Sequence, residues 1–328
     1  MKLHEALNKK IGLGTAPLGN MFRKVSEEEA QETIQNAWEQ GIRYFDTAPF
    51  YGAGLSEIRL GEALSDKKRS DYLLSSKVGR IILEDETEEK SGLFEDARQN
   101  KILTNYTEEA TLRSIEDSLK RLNTDYLDMI FVHDISPDFL GDEWITKFEE
   151  ARNGAFKVLD RLRDEGVIKS WGIGVNTTIP IEVAMELEEA NPDLSLTATQ
   201  YTLMQHDRAL ERMMSLGEKT GKKFVVGAPY NSGALLGGDY FDYQPATEEV
   251  KKQAQQLRQI ADKHGISLKA AALQFSTAHP AVSAVIPGST RPSRIKEDLS
   301  AMQETIPAVF WQELIREGLI SDKAPLPK

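Results

Sequence analysis

DYLDMIFVHD (residues 125–134), ARNGAFKVLDRLRDEG (151–166) and IKSWGIGVN (168–176) follow one another as an apolar strand, an amphipathic helix and a second apolar strand. The same unit repeats on either side. Upstream, KIGLGTA (10–16) precedes SEEEAQETIQNAWEQG (26–41), IRYFDTA (42–48) precedes LSEIRLGEALSDKK (55–68), and DYLLSSKVG (71–79) precedes TEEATLRSIEDSLKRLN (107–123). Downstream, IKSWGIGVN is followed by PIEVAMELEEAN (180–191), LSLTATQY (194–201) by DRALERMMSLGEKTG (207–221), KKFVVGAP (222–229) by EEVKKQAQQLRQIADKHG (248–265), and VSAVIPGS (282–289) by RPSRIKEDLSAM (291–302).

Boundary residues support the alternation: Ser26 stands before a Glu-rich first turn with Glu29 at the capping-box position, Pro180 opens a helix, and Gly41, Gly166, Gly221 and Gly265 close others. Eight strand-helix units predict an α/β chain folded as a single (β/α)8 TIM barrel over residues 1–328. An extra C-terminal helix lies in PAVFWQELIREGL (307–319), and long loops follow strands three and four. A doubly wound parallel sheet is the second choice.

A chain of 328 residues with 40% hydrophobic content can bury a large core. The absence of cysteine excludes a disulfide framework, a thiolate zinc site and a thiol nucleophile. A net charge of −12 argues against a nucleic-acid backbone as partner, and no apolar run is long enough for a membrane span or a secretory signal, so a cytoplasmic protein is expected. The acidic run EDETEEK (84–90) reads as a solvated loop.

GLGTAPLG (12–19) resembles a dinucleotide fingerprint, but the sixth position from Gly12 is Pro17 and no helix begins at once, so G-x-G-x-x-G fails. Gly12 and Gly14 more simply allow close backbone approach at a strand end. In a barrel, the informative residues are polar ones where strands run out. Strand two ends at Asp46 and its loop offers Tyr51; strand three ends at Lys77, and strand four at His133. Taken singly, each has a plain structural reading: a turn cap, a loop aromatic, a rim cation, a core histidine. Together they suit proton transfer to or from an oxygen. A phenol with an ordinary pKa of about 10 needs a nearby ammonium to work at neutral pH. A carboxylate can hold that ammonium, and a histidine can orient the reacting oxygen.

RYFDTAPFYGAGLSEIRLGEAL (43–64), SSKVG (75–79), RLNTDYLDMIFVHD (121–134) and VIPGSTRP (285–292) stand in the order and spacing of the aldo-keto reductase superfamily, which the sequence resembles over essentially its whole length. The resemblance implies that Tyr51 is the acid/base, that Lys77 and Asp46 tune it, and that His133 orients the substrate oxygen. It also implies a nicotinamide dinucleotide lying across the barrel mouth without a Rossmann fold. By matching motif its contacts fall on Gly14, Thr15, Asn176, Gln200, Ala228, Tyr230 and Ser232. The adenosine end falls on Gly288, Ser289, Thr290, Arg291, Arg294 and Asp298, at a helix start that favours anions.

Three departures stand out. GVN (174–176) replaces the usual Ser-Asn pair, leaving Asn176 in a shifted register. Gly227 occupies the place of the stacking aromatic, with Tyr230 nearby. Gly288 and Asp298 replace a lysine and an asparagine common in NADP-dependent members. Losing a cation and gaining a carboxylate near the ribose favours NAD by Coulomb repulsion, while Arg291 and Arg294 leave NADP open.

Within the family, GTAPLGNMF (14–22), TAPFYGAGLSE (47–57), the VHD triplet (132–134) and GAPYNSGALL (227–236) look most like the dehydrogenases that act on D-threo-aldoses and on pyridoxal, which oxidise a cyclic hemiacetal to a lactone. The implied partner is a small aldose or aldehyde. General aldehyde or ketone reduction is the alternative, as is a cofactor-sensing subunit similar to potassium-channel β subunits. Oligomeric state is left open. Substrate choice is expected in the insertions 80–100 and 134–150, where Phe94, Phe139 and Trp144 can line a pocket or simply pin the loops.

Overall fold

A computed structural model describes residue 7 and residues 11–86, 92–94 and 96–327. Eight parallel strands form the sheet: β1 (Leu13–Gly14), β2 (Tyr44–Asp46), β3 (Leu73–Val78), β6 (Met129–His133), β7 (Ser170–Val175), β8 (Leu194–Ala198), β9 (Lys223–Gly227) and β12 (Val282–Ile286), neighbours in that order. The first and last strands meet through parallel bridges at Ile11 with Val285 and Gly14 with Gly288, and the Gly12 amide donates to the Val285 carbonyl at 2.9 Å. The sheet thus closes on itself, and the expected barrel is the observed one. Helices separate its strands. The C-terminal helix Ala308–Arg316 buries Phe310, Trp311 and Leu314.

The period-two pleat sorts the side chains. Tyr44, Leu73, Met129, Phe131, Leu194, Leu196, Val225 and Ile286 fill the lumen, whereas Phe45, Leu74, Val78, Ile130 and Val132 pack outward under the helices. Two more residues along β2, four along β3 and four along β6 from these lumen positions stand Asp46, Lys77 and His133. All three therefore come to the C-terminal rim of the barrel, above the apolar plug.

The cap signals behave as their chemistry demands: Ser26 accepts from the Glu29 amide at 3.1 Å, and Gly41, Gly166, Gly221 and Gly265 all have positive φ. Elsewhere the elements differ from expectation. The insertion after β3 is an antiparallel hairpin, β4 (Arg80–Glu86) with β5 (Asn100–Thr104), and the acidic run reaches residues outside those described. The insertion after β6 holds the helix Trp144–Asn153. A second hairpin, β10 (Tyr240–Phe241) with β11 (Gln244–Pro245), follows β9, and an unforeseen helix Leu268–Ala278 precedes β12. The helix read at 180–191 ends at Glu186, and the one read at 207–221 begins as a π-helical turn, Ala209–Met214. GLGTAPLG continues from β1 into a short 3-10 turn, Ala16–Gly19, so no dinucleotide-fingerprint helix follows the glycines.

Among the described residues no helix is long and apolar enough to cross a membrane.

Candidate active site

The loop after β2 is held from below and from the side. Thr15 Oγ1 donates to the Asp46 carbonyl at 2.9 Å, Ser56 Oγ donates to the Thr15 carbonyl at 2.8 Å, and Thr47 Oγ1 donates to Ser56 Oγ at 3.1 Å. Buried Glu57 accepts from Ser76 Oγ at 2.7 Å and from Arg121 Nε at 2.6 Å. Gly52, at φ +67°, lies so close to Gly19 that a Cβ would sit 2.5 Å from the Gly19 carbonyl oxygen. This lattice of bonds and close backbone contact fixes the chain that carries Tyr51.

Asp46 and Lys77 form a buried ion pair, with Lys77 Nζ 2.8 Å from Asp46 Oδ2 and 2.8 Å from the Thr47 carbonyl. Asp46 Oδ1 accepts from Ser75 Oγ at 2.6 Å, and Ser75 Oγ lies 3.1 Å from the Tyr44 hydroxyl. The Lys77 ammonium sits 4.7 Å from the centre of the Tyr51 ring, and the Tyr51 and His133 rings meet edge to face at 5.9 Å. The four residues picked out in the sequence therefore converge on one mouth.

Their electrostatics differ from expectation in one respect. Burial pushes the Tyr51 phenol well above its ordinary value, and the Asp46 and Asp134 carboxylates push it the same way. The Lys77 ammonium, paired with Asp46 and the Thr47 carbonyl, does not outweigh these effects. Without further positive charge, Tyr51 is a protonated phenol. Burial, with help from Lys77 and Arg80, holds His133 well below 6.5, so its imidazole is neutral at physiological pH. The unfolded chain protonates this histidine as pH falls through about 6.5 while the folded chain resists, so His133 subtracts stability on the acid side of that value. Its Nδ1 is buried without a partner among the described residues.

Around the quartet, Phe50 meets Phe94 at 5.4 Å and Phe139 at 5.8 Å, both edge to face. Phe94 and Phe139 thus line the mouth, whereas Trp144 packs on Phe148 and pins its own helix to the core. Phe22 stacks on Tyr240 at 4.2 Å, and the Phe22 amide donates to the Leu93 carbonyl at 3.0 Å, linking the β10–β11 hairpin to the first insertion across the rim.

Three residues in the mouth were missed as site candidates from the sequence. Arg80 and Asp134 form a buried pair at 3.4 Å beside His133. Tyr243 sits in the turn of the β10–β11 hairpin, where both central residues, Asp242 and Tyr243, have positive φ. Burial raises its phenol, with Tyr51, Asp134, Asp242 and Asp46 among the charges it senses. Arg80 and Asp134 were findable, since Arg80 stands three residues past Lys77 and Asp134 directly follows His133. Tyr243 carried no such signal, because its turn lacks the glycine or asparagine that marks a two-residue hairpin.

The expected cofactor residues lie along the same rim in different states. Gly14 and Gly288 bridge the barrel seam. A Cβ at Gly288 would stand 2.8 Å from Pro17 Cγ, so this glycine is required by packing and is not simply a lost lysine. Thr15 is buried in the network under Asp46. Asn176 Nδ2 reaches Asp138 Oδ2 at 3.5 Å, and Gln200 Nε2 donates to Thr199 Oγ1 at 3.2 Å. Ala228 and Ser232 have positive φ, and Ser232 Oγ accepts from the Tyr243 amide at 3.0 Å. Ser289 Oγ closes a local turn with Arg291, while Thr290 Oγ1 accepts from Arg23, a cation absent from the sequence reading.

Asp298 requires a correction. It is only 3% exposed, accepts from the Tyr230 hydroxyl at 2.7 Å and pairs with Lys269 at 3.1 Å. Its charge is buried and countered, so the argument that it repels a ribose phosphate loses its ground; the Tyr230 hydroxyl is engaged there too. What does fit a dinucleotide is the start of the helix Pro292–Ala301. Its N-cap residue Arg291 makes no side-chain capping bond, and Arg291 and Arg294 stand exposed beside this positive end of the helix. Among the described residues there is no cluster of acidic or histidine side chains that could hold a metal.

The sequence pattern of the aldo/keto reductase family matches residues 10–316. A pyridoxal 4-dehydrogenase from Microbacterium luteolum is 35% identical, with 95% of this chain and 94% of that protein aligned. A D-threo-aldose 1-dehydrogenase from a Pseudomonas species is 33% identical over 94% of each. Among solved structures, the holo form of an aldo-keto reductase from Bacillus halodurans superposes with a TM-score of 0.68 at 24% identity, covering 94% of this chain and 91% of its own.

Proposed function

This chain belongs to the aldo/keto reductase family, enzymes that use nicotinamide cofactors, and from that premise we propose that it is a dehydrogenase oxidising the hemiacetal carbon of an aldose or of pyridoxal to a lactone. The observation that carries the reading is the Asp46–Lys77 pair held under Tyr51 and beside a neutral His133, in a mouth walled by aromatic rings. The nicotinamide, when bound, accepts hydride at its ring and in the oxidised state adds a positive charge to the mouth. Beside such a charge and Lys77, the Tyr51 phenol would ionise more readily, and its phenolate would take the proton of the anomeric hydroxyl. His133, neutral, would donate to or accept from the reacting oxygen through Nε2 and set its direction. As the C–H bond yields hydride and the O–H bond yields its proton to Tyr51, the carbon becomes the lactone carbonyl.

Asp46 orients Lys77 through the 2.8 Å contact, and Ser75 and Tyr44 orient Asp46 in turn. The dinucleotide would be held by Gly14, Asn176, Gln200 and the segment around Ala228, Tyr230 and Ser232, with its phosphates toward Ser289, Thr290 and the start of the helix Pro292–Ala301. With Asp298 neutralised by Lys269, the choice between NAD and NADP falls to Arg291 and Arg294. The double replacement Arg291→Ala/Arg294→Ala is expected to lower kcat/KM for NADP about tenfold more than for NAD, the strength of a charge-assisted phosphate contact. Equal losses for the two cofactors would remove both arginines from 2′-phosphate recognition.

The raised phenol of Tyr51 favours a second reading, aldehyde reduction, in which Tyr51 gives up its proton. A screen of aldopyranoses, pyridoxal and simple aldehydes with both cofactors in both states, followed by absorbance of the reduced nicotinamide, separates the two. The first reading predicts hemiacetal oxidation as the faster reaction at alkaline pH; turnover confined to aldehyde reduction favours the second.

A further inference from the structure

Asp134 follows His133 directly, and its backbone turns into the left-handed region at φ +51°, a conformation that aspartate tolerates better than most side chains. The turn brings the carboxylate back against its neighbour: Asp134 Oδ2 lies 3.5 Å from His133 Nε2 and 3.4 Å from Arg80 Nη2. Arg80 is itself fixed. It donates to the Gly79 carbonyl at 3.2 Å and to the Tyr106 hydroxyl at 3.1 Å, while its guanidinium lies 4.3 Å from the centre of the Phe139 ring. The Tyr106 hydroxyl donates to the His133 carbonyl at 2.6 Å.

This carboxylate is under-supplied. An ionised carboxylate offers about four acceptor sites. Asp134 is 5% exposed, and its carboxylate has only these two long contacts among the described residues. Burial raises its pKa to about 6 even with Arg80 beside it, with Asp138 adding to the rise and Lys77 opposing it. An acceptor whose Oδ2 has only long contacts, beside a catalytic imidazole, is a place for a donor that arrives with the substrate. The geometry specifies which donor. If the reacting oxygen sits on His133 Nε2, an oxygen on the neighbouring carbon lies one hydrogen-bond length away from it. The 3.5 Å between Nε2 and Asp134 Oδ2 matches that step closely enough for both oxygens to be held at once.

We propose that Asp134, braced by Arg80, is a specificity-determining residue whose carboxylate accepts a hydrogen bond from the hydroxyl on the carbon next to the reacting one. The site then selects 2-hydroxylated hemiacetals and 2-hydroxyaldehydes over their 2-deoxy counterparts. The inference rests on the reading that Tyr51 and His133 receive the reacting oxygen.

The test is a ratio. In the oxidative direction, kcat/KM is measured for an aldopyranose and its 2-deoxy analogue; in the reductive direction, for a 2-hydroxyaldehyde and the matching simple aldehyde. Both pairs are run on the wild type and on Asp134→Asn, which keeps the shape and the left-handed backbone but removes the charge. Each ratio comes from one enzyme preparation, so the fraction folded cancels, and comparing variant with wild type cancels the intrinsic reactivity of the substrates. The wild type is expected to favour the hydroxylated member by tenfold to a hundredfold, on the order of a hydrogen bond to a charged group, and Asp134→Asn to shrink that ratio by at least about tenfold. A merely structural Asp134 would lower both members of a pair equally. A wild-type ratio near one, or a ratio that Asp134→Asn leaves unchanged, overturns the proposal. If only the aldehydes react, aldose oxidation fails as a function and the aldehyde pair still decides Asp134; a chain inactive on all four substrates overturns the role of Asp134, and oxidation of pyridoxal then decides the hemiacetal reading by itself.

Discussion

Replacing Tyr51 by Phe is expected to lower kcat by at least about 10²-fold while leaving nucleotide affinity largely intact. The substitution keeps the ring, and with it the edge contact to His133 at 5.9 Å, the tilted contact to Phe94 at 6.1 Å and the Lys77 ammonium at 4.7 Å. Only the transferable proton is lost. Steady-state kinetics together with nucleotide binding in the same variant separates chemistry from folding. Wild-type turnover in Tyr51→Phe would end the assignment of Tyr51 as the acid/base.

Lys77→Met has two expected effects, because Lys77 both neutralises Asp46 and faces the Tyr51 ring. Asp46 would remain buried without its cation, which costs about 3–5 kcal/mol at neutral pH. Urea denaturation should therefore show the variant well below the wild type. Adding Asp46→Asn removes the stranded charge and should recover most of the stability without recovering turnover. In the active fraction, the basic limb for oxidation should move to higher pH, since a cation near the phenol has gone. An undiminished stability would show that Asp46 does not depend on Lys77, and an unmoved limb would exclude Lys77 from setting the phenol.

How much of this was legible in the sequence follows from what each element must bury. Helices with one wet face announced themselves: Glu27–Glu39 and Glu108–Arg121 carry polar stripes that the helical period exposes. Leu268–Ala278 did not, because Ala270, Ala271, Ala272, Leu273, Phe275, Ser276 and Thr277 are all buried and no polar stripe is left to mark the period. The hairpins were read as loops since their strands pair with each other away from the barrel, and the two-residue strands β10 and β11 are too short to show alternation.

The site divides in the same way. Asp46, Lys77 and His133 could be found because a polar residue ending an apolar strand has no packing reason to be there. The energetics could not be read. That Lys77, paired with Asp46 and the Thr47 carbonyl, does not outweigh burial at the phenol depends on distances between three strand ends. That Lys269, on another helix, neutralises Asp298 depends on packing between helices 29 residues apart in the chain or more distant, which no local pattern records.

The central claim is that hydride passes directly between the hemiacetal carbon and the nicotinamide over Tyr51 and His133. An aldopyranose carrying deuterium at its anomeric carbon, incubated with the enzyme and oxidised dinucleotide, tests it most directly. The account predicts that the deuterium appears on the nicotinamide ring of the reduced cofactor, on one face only, with a lactone as the other product and with transfer abolished in Tyr51→Phe. Deuterium released to water while the sugar is oxidised, or transfer that persists undiminished in Tyr51→Phe, would contradict it.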